Sequence, residues 1–270
     1  MSTSATTEPT GAPVDEEVDQ RADVGDQVDH SSWRRLVIQP CCIAALFVGV
    51  VVYVKTADLS KLEQRTLNLG ALWRHTVEHL ELSFAATAVV LLVAIPVGVV
   101  LTRSWARAGT PFAVGFANVG QAAPSIGLLV LFAMWLEVGF WTVVVGLSVY
   151  GILPTLNNTI TGLRQVEQRV VEAARGMGMS AVGTLLRVEL PLAAPVILTG
   201  VRVSLVLIVG TASLGTFIGG GGLGGLITTG VNLGRDNILV VGAVMIAALA
   251  LLIDWLGRVV EELVRPKGLA

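Results

Sequence analysis

The sequence predicts an all-α polytopic membrane protein with about six transmembrane helices and both termini in the cytoplasm. Three observations carry that prediction. Only 14% of the 270 residues are charged while 53% are hydrophobic, whereas a soluble domain needs roughly a quarter charged residues to cover its surface. The apolar residues gather in long runs, six of which approach the ~20 residues that a helix needs to cross a bilayer. Lys and Arg are richer on alternate connecting segments, and this asymmetry orients spans.

The six runs are about Leu36–Val54, Leu80–Leu101, Phe112–Leu136, Phe140–Leu156, Leu192–Phe217 and Ile238–Leu256. An open sheet would leave backbone groups unpaired in lipid, so all six are read as helices. Pro96, Gly98, Pro124, Pro154 and Gly210 fall inside them, and small residues there allow close helix packing. With the N-terminus inside, the inner segments hold Arg34, Arg35, Arg103, Arg107, Arg164, Arg169, Arg175, Arg187, Arg258, Arg265 and Lys267. The outer ones hold Lys55, Lys61, Arg65, Arg74 and Arg235.

Residues 1–33 carry eight acidic side chains against Arg21 and show no apolar periodicity, so a disordered acidic cytoplasmic tail is expected there. They lack the basic start and early apolar core of a cleavable signal peptide, so the first run (34–56) is expected to remain as a peripheral anchor. A core over 75–260 and a short cytoplasmic tail over 261–270 follow. The net charge of −2 points to no nucleic-acid partner. Cys41 and Cys42 are adjacent and provide no disulfide framework; they read as small apolar helix residues or, alternatively, as a lipidation or metal site.

The longest hydrophilic inner segment is Thr161–Pro191, TGLRQVEQRVVEAARGMGMSAVGTLLRVELP. Glu172, Ala173 and Ala174 open a run of helix formers that Gly176 and Gly178 interrupt, and Ala181–Val188 can form a second short helix before Pro191. Two short helices meeting at a glycine make a knob standing out of the membrane, with small residues where another protein could approach. Glu172 and Arg175 supply charges at its rim. An amphipathic loop lying on headgroups is the alternative.

This segment resembles the EAA loop of ABC importer permeases: Glu-Ala-Ala, three residues, Gly, nine residues, Ile, one residue, Leu-Pro. Glu172, Ala173, Ala174, Gly178, Leu190 and Pro191 fall on the pattern, with Val188 in place of the isoleucine. The resemblance spans roughly residues 75–255. His79–Ser83, Gln121–Ser125, Leu153–Pro154, Asn158–Thr159, Gly162–Leu163 and Ile218–Gly224 narrow it to permeases for osmoprotectants such as glycine betaine, carnitine or choline. Methionine-type permeases share several of these elements and give the alternative substrate class.

The resemblance implies a five-helix type I importer core in the bacterial inner membrane. It implies a second permease subunit, the same or homologous, a pair of ABC ATPases docked on the EAA loop, and an extracytoplasmic substrate-binding protein. No cofactor is expected in this chain, and ATP and Mg²⁺ belong to the partner ATPase. Glu172, Ala173, Ala174, Gly176, Gly178, Leu190 and Pro191 are expected to couple the permease to that ATPase.

Polar residues inside spans are costly in lipid and point to function by default. Asn118, Gln121 and Ser125 fall three to four residues apart, which on one helix would place them on one face. With Pro124, Asn157, Thr211 and Ser213 they are candidates for the translocation pathway; interhelical hydrogen bonding is the alternative. Arg202 and Asp254 are expected to snorkel to the inner boundary. The glycine-rich run containing Gly220, Gly221 and Gly222 lacks the Gly-Lys-Ser/Thr of a phosphate loop and reads as a flexible outer gate element or as helix packing.

His75-Thr-Val-Glu78-His79 spells an inverted zinc-peptidase signature. No further histidine follows, so no metal site is assigned and the cluster is expected to be a polar helix start at the outer interface. A membrane peptidase would depend on zinc. A secondary transporter would show inverted repeats and embedded coupling charges.

Overall fold

Two residue choices set the local architecture: helix formers within the apolar runs, and side-chain caps that fix where helices begin. The structure, a computed structural model, describes residues 38–264. The chain divides into two compact units, Met1–Cys42 and Ile43–Ala270. The acidic stretch 1–33 lies outside the described residues, as do 265–270 of the C-terminal tail.

The first long helix, α1, is Ile38–Thr56. Ser60 then caps the short α2 (Lys61–Thr66) in a capping box with Glu63, and Asn68 caps α3 (Leu69–Thr102). Helix α3 therefore starts eleven residues before the predicted span, because the cap and not the apolar boundary decides where it begins. A short 3₁₀ turn (Arg107–Gly109) leads to α4 (Thr110–Ala122), α5 (Ser125–Trp135) and α6 (Phe140–Gln165). The hydrophilic segment Thr161–Pro191 supplies α7 (Gln168–Gly176) and α8 (Ala181–Thr184). Helix α9 (Leu190–Thr211) tightens into a 3₁₀ turn over Ala212–Ile218. Helices α10 (Gly224–Leu233) and α11 (Asp236–Val264) complete the described chain.

Among the described residues, five helices are long and apolar enough to cross a membrane. The predicted third span is not one rod. Arg107–Ala122 and Ser125–Trp135 meet at a bend of 99°. Pro124 alone would kink a helix; here Ala123 (ψ 143°) and Pro124 (ψ 121°) are both extended, so the helix breaks.

The neighbouring helices show that the broken pair still returns the chain across the bundle. The Ser148 hydroxyl donates to the Ala86 carbonyl at 3.2 Å, Gly151 lies against Val90, and Gly98 against Thr159. Contacts advance together along both chains, so α3 and α6 are parallel. The intervening chain must then traverse the full thickness, and α4 with α5 is the element that does so.

Lipid offers no hydrophobic drive for one helix to leave it for another, so close contact must hold the bundle together. At the α6–α9 seam a Cβ on Gly200 would stand 2.5 Å from Asn158 Cβ, and one on Gly162 would stand 3.1 Å from the Ala193 carbonyl oxygen. The buried Thr155 and Ser204 hydroxyls meet at 2.7 Å, and Ser204 donates to the Gly151 carbonyl at 2.6 Å. These pairs make α9 antiparallel to α6.

Arg202 and Asp254 do not snorkel separately as expected. Arg202 bonds Asp254 at 2.7 Å and Glu261 at 2.9 Å, and Arg258 closes on Asp254 at 2.8 Å. The antiparallel α9 and α11 put the charges within reach of one another, and pairing replaces the water each would otherwise seek.

Candidate functional site

Two glycine-dependent bends stand at opposite ends of the bundle, with a break in a span between them. The first is the Thr161–Pro191 segment. Helix α7 is amphipathic: Val171 and Ala174 are buried, whereas Glu172, Ala173 and Gly176 are exposed. Gln168 Nε2 donates to Glu172 Oε1 at 3.1 Å, holding the carboxylate along the helix.

The helix ends in a Schellman motif. The Met179 amide donates to the Ala174 carbonyl at 3.2 Å and the Gly178 amide to the Arg175 carbonyl at 2.9 Å. Gly178 occupies the left-handed position, φ +88°, with open space where a side chain would be. Its requirement is therefore conformational and not crowding within the chain. Gly176 likewise has nothing near its missing Cβ.

Ser180 caps the next turn through the Gly183 amide at 3.1 Å. The expected stop before Pro191 does not occur. Leu185–Glu189 forms a π turn that continues into α9, with the Leu190 amide donating to the Leu185 carbonyl. The wider turn absorbs the hydrogen bond that Pro191 cannot make, so α8 and the span are one run, Ala181–Ile218. Glu189, which the sequence reading passed over, is buried and takes both Arg103 guanidinium nitrogens at 3.3 and 2.5 Å. That fork pins the end of α3 to the π turn.

At the other end, Gly219, Gly221 and Gly222 adopt φ of +75°, +75° and +83°. The Gly222 amide donates to Glu78 Oε2 at 3.1 Å, while Arg74 and His75 approach the same carboxylate at 3.7 and 3.4 Å. His79 is fully buried, not at an interface as expected, and its Nε2–H donates to the Val209 carbonyl at 2.9 Å. A Cβ on Gly222 would lie 3.1 Å from His79 Nδ1, and one on Gly220 would lie 2.9 Å from the Gly215 carbonyl oxygen. The His75–Glu78–His79 cluster thus fastens the start of α3 to the glycine turn and to the last turn of α9.

The pathway candidates separate into groups. Asn118 and Ser125 lie on different helices because of the break, so the expected common face does not exist. Gln121 and Ser125 instead converge on Tyr150 of α6: Gln121 Nε2 donates to the Tyr150 carbonyl at 3.4 Å, Ser125 lies beside the phenol, and the phenol donates to the Ala123 carbonyl. Pro124 is exposed at the break itself. Thr211 and Ser213 direct their hydroxyls to carbonyls of their own helix. Among the described residues, the exposed Asn118 and half-buried Asn157 amides make no side-chain hydrogen bond.

Residues 94–266 match the family described as the binding-protein-dependent transport system inner membrane component. The chain belongs to this family. It is 43% identical over 202 residues to the choline transport system permease protein OpuBB of Bacillus subtilis, covering 75% of this chain and 92% of that one. It is 42% identical, with the same coverage, to the glycine betaine/carnitine/choline transport system permease protein OpuCB of the same organism. Identity to the osmoprotectant import permease protein OsmY of Salmonella typhimurium is 34% over 213 residues, 77% of this chain and 89% of that one. The fold is similar to a chain of the MetNI methionine ABC transporter in an inward-facing conformation, with TM-score 0.65 and 23% identity over 77% of this chain and 100% of that one. The permease is thus a multi-pass transmembrane transport component.

Proposed function

We propose that this permease forms, with a second permease subunit, the passage of a bacterial inner-membrane importer for a quaternary ammonium or related zwitterionic osmoprotectant. The observation that carries the reading is the α7 knob, whose Glu172, Ala173 and Gly176 face outward and whose glycine turn leads into the continuous Ala181–Ile218 run. The relatives' choline, carnitine and glycine betaine names support the substrate class.

In this reading the knob faces the cytoplasm, since Arg103, Arg107, Arg164, Arg169, Arg175, Arg187 and Arg258 lie at its end of the bundle. A partner ATPase, which holds ATP and Mg²⁺, seats on the exposed face of α7. A binding protein meets the opposite end and delivers solute beside the glycine turn. Motion of α7 passes through the π turn to α9 and through the Arg103–Glu189 fork to α3. The passage offers neutral amides and hydroxyls at Asn118, Gln121, Ser125 and Asn157, which let a zwitterion pass without holding it tightly. The break at Pro124 supplies exposed, non-helical backbone of the kind tolerated at membrane depth only inside protein or along a cavity.

Two measurements test the reading. Cysteines at Ser60 and at the exposed Asn232 should label from outside intact cells and one at Ser180 should not; the reverse pattern would invert the orientation. Reconstituted with its ATPase and binding protein, the permease should import choline or glycine betaine in an ATP-dependent manner. Methionine import without choline or betaine import would retain the permease and overturn the substrate class.

A further inference from the structure

The end of the bundle that bears α7 also holds a cleft of about 400 Å³ between the α3–α4 connection, the end of α6, and α7. Four arginines line it, Arg103, Arg107, Arg164 and Arg175, against one carboxylate, Glu189. Glu189 is already engaged by Arg103 in the bidentate pair. Among the described residues no acid comes within ion-pair distance of Arg107, Arg164 or Arg175. Helix α7 also opens at this cleft, at Gln168, with no side chain capping its first amides.

Three exposed guanidinium groups without an acid around one concavity repel each other, and an anion seated among them relieves that repulsion. Arginine's planar fork matches phosphate oxygens. The depth of the cleft identifies the form in which phosphate arrives. It lies where α3 and α6, both long and apolar enough to span a membrane, come to their ends, and Trp105 stands on its rim 78% exposed, as indoles do at a membrane–water interface. Basic pockets at that level between spans bind acidic headgroups.

We infer that this cleft is a binding site for the phosphate of an anionic phospholipid, placed between the coupling knob and the Arg103–Glu189 fork. A lipid seated there touches α3, α6 and α7 together, so its presence bears on how firmly the knob is held. The inference rests on the membrane placement of the chain, not on the transported solute or the ATPase.

The test uses the solubilised complex incubated with phosphatidylglycerol or phosphatidylcholine, with retained lipid counted by native mass spectrometry. The wild type should retain phosphatidylglycerol and not phosphatidylcholine. R107Q/R164Q should retain about tenfold less, and R107K/R164K should restore part of the loss. Inorganic phosphate at millimolar concentration should displace little of the lipid; full displacement would make the site one for free phosphate and overturn the lipid assignment. Equal retention by wild type and R107Q/R164Q would overturn the site. Loss of ATPase from R107Q/R164Q with lipid retention unchanged would assign the cleft to an acidic surface of that subunit instead. Should the double variant fail to assemble, R107Q and R164Q taken singly read the same quantity.

Discussion

Gly178 and Gly224 stand at opposite ends of the bundle and need to be glycine for opposite reasons. Gly178 has a left-handed backbone and open space around it; Gly224 is helical, and a Cβ there would stand 2.0 Å from the Ser213 carbonyl oxygen. The first bend is unobstructed by its own chain, as the proposed docking surface requires. The second is packed against its own chain and tied by Glu78 and His79, as the expected outer gate element requires. Glycine content alone does not separate an open bend from a packed one; the space around each missing side chain does.

The comparison can be broken most severely at Gly224. Gly224→Ala sets a methyl against backbone that cannot step aside, so it should cost about 3 kcal/mol, the upper end for overpacking, and lower the melting temperature of the purified complex by several degrees. An unchanged melting temperature would show that the glycine turn is slack. Gly178→Val should lower the melting temperature less than Gly224→Ala, since a β-branched residue in the left-handed region costs ~1–2 kcal/mol, yet reduce uptake about tenfold. Gly178→Asn sharpens the point: asparagine tolerates that conformation, so uptake should largely survive. If asparagine abolishes uptake as valine does, the docked partner and not the φ angle demands the glycine.

Glu78→Gln should act more gently. It keeps the acceptor but removes the charge, weakening the half-exposed bond to the Gly222 amide by about 1 kcal/mol, and it should speed labelling of a cysteine at the exposed Phe217 beside the turn while leaving ATPase association intact. No change in labelling rate would mean that Glu78 does not restrain the turn. The smallest effect is expected at Ser60, whose hydroxyl and amide hold the Glu63 carboxyl below its ordinary value. A depressed carboxyl contributes stability that is present above the ordinary pKa and fades as pH falls through the lower folded one. The melting-temperature gap between wild type and Ser60→Ala should therefore narrow as pH drops from about 6 to about 4. A gap that widens instead would contradict the sign.

The spans were legible because their cause is local: an apolar run in lipid must be helical whatever surrounds it. The α7 knob was legible for a related reason, since Ala, Glu and Gly act through backbone propensity and a left-handed cap. The break at Pro124 was not, because one proline predicts a kink as readily as a break; the difference lies in Ala123 joining it in extended conformation. Grouping Asn118 with Ser125 failed for that reason. The His75–Glu78–His79 cluster was seen, but its partners Val209 and Gly222 lie far along the chain, and nothing nearby announces them. Glu189 was hidden among apolar motif positions, with Arg103 86 residues away.

The π turn at Leu185–Glu189 has a consequence for how this segment can change over time. An α-helix turns about 100° per residue, and one surplus residue in a turn shifts the azimuth of everything before it relative to everything after. The exposed side of the knob and the packed side of α9 are therefore set at an angle by counting, not by contact. Losing or gaining a single residue between Gly178 and Pro191 would leave every favourable side chain in place yet swing the knob about a quarter turn away from its partner. A side-chain substitution in this segment leaves that angle unchanged, whereas a change in its length does not.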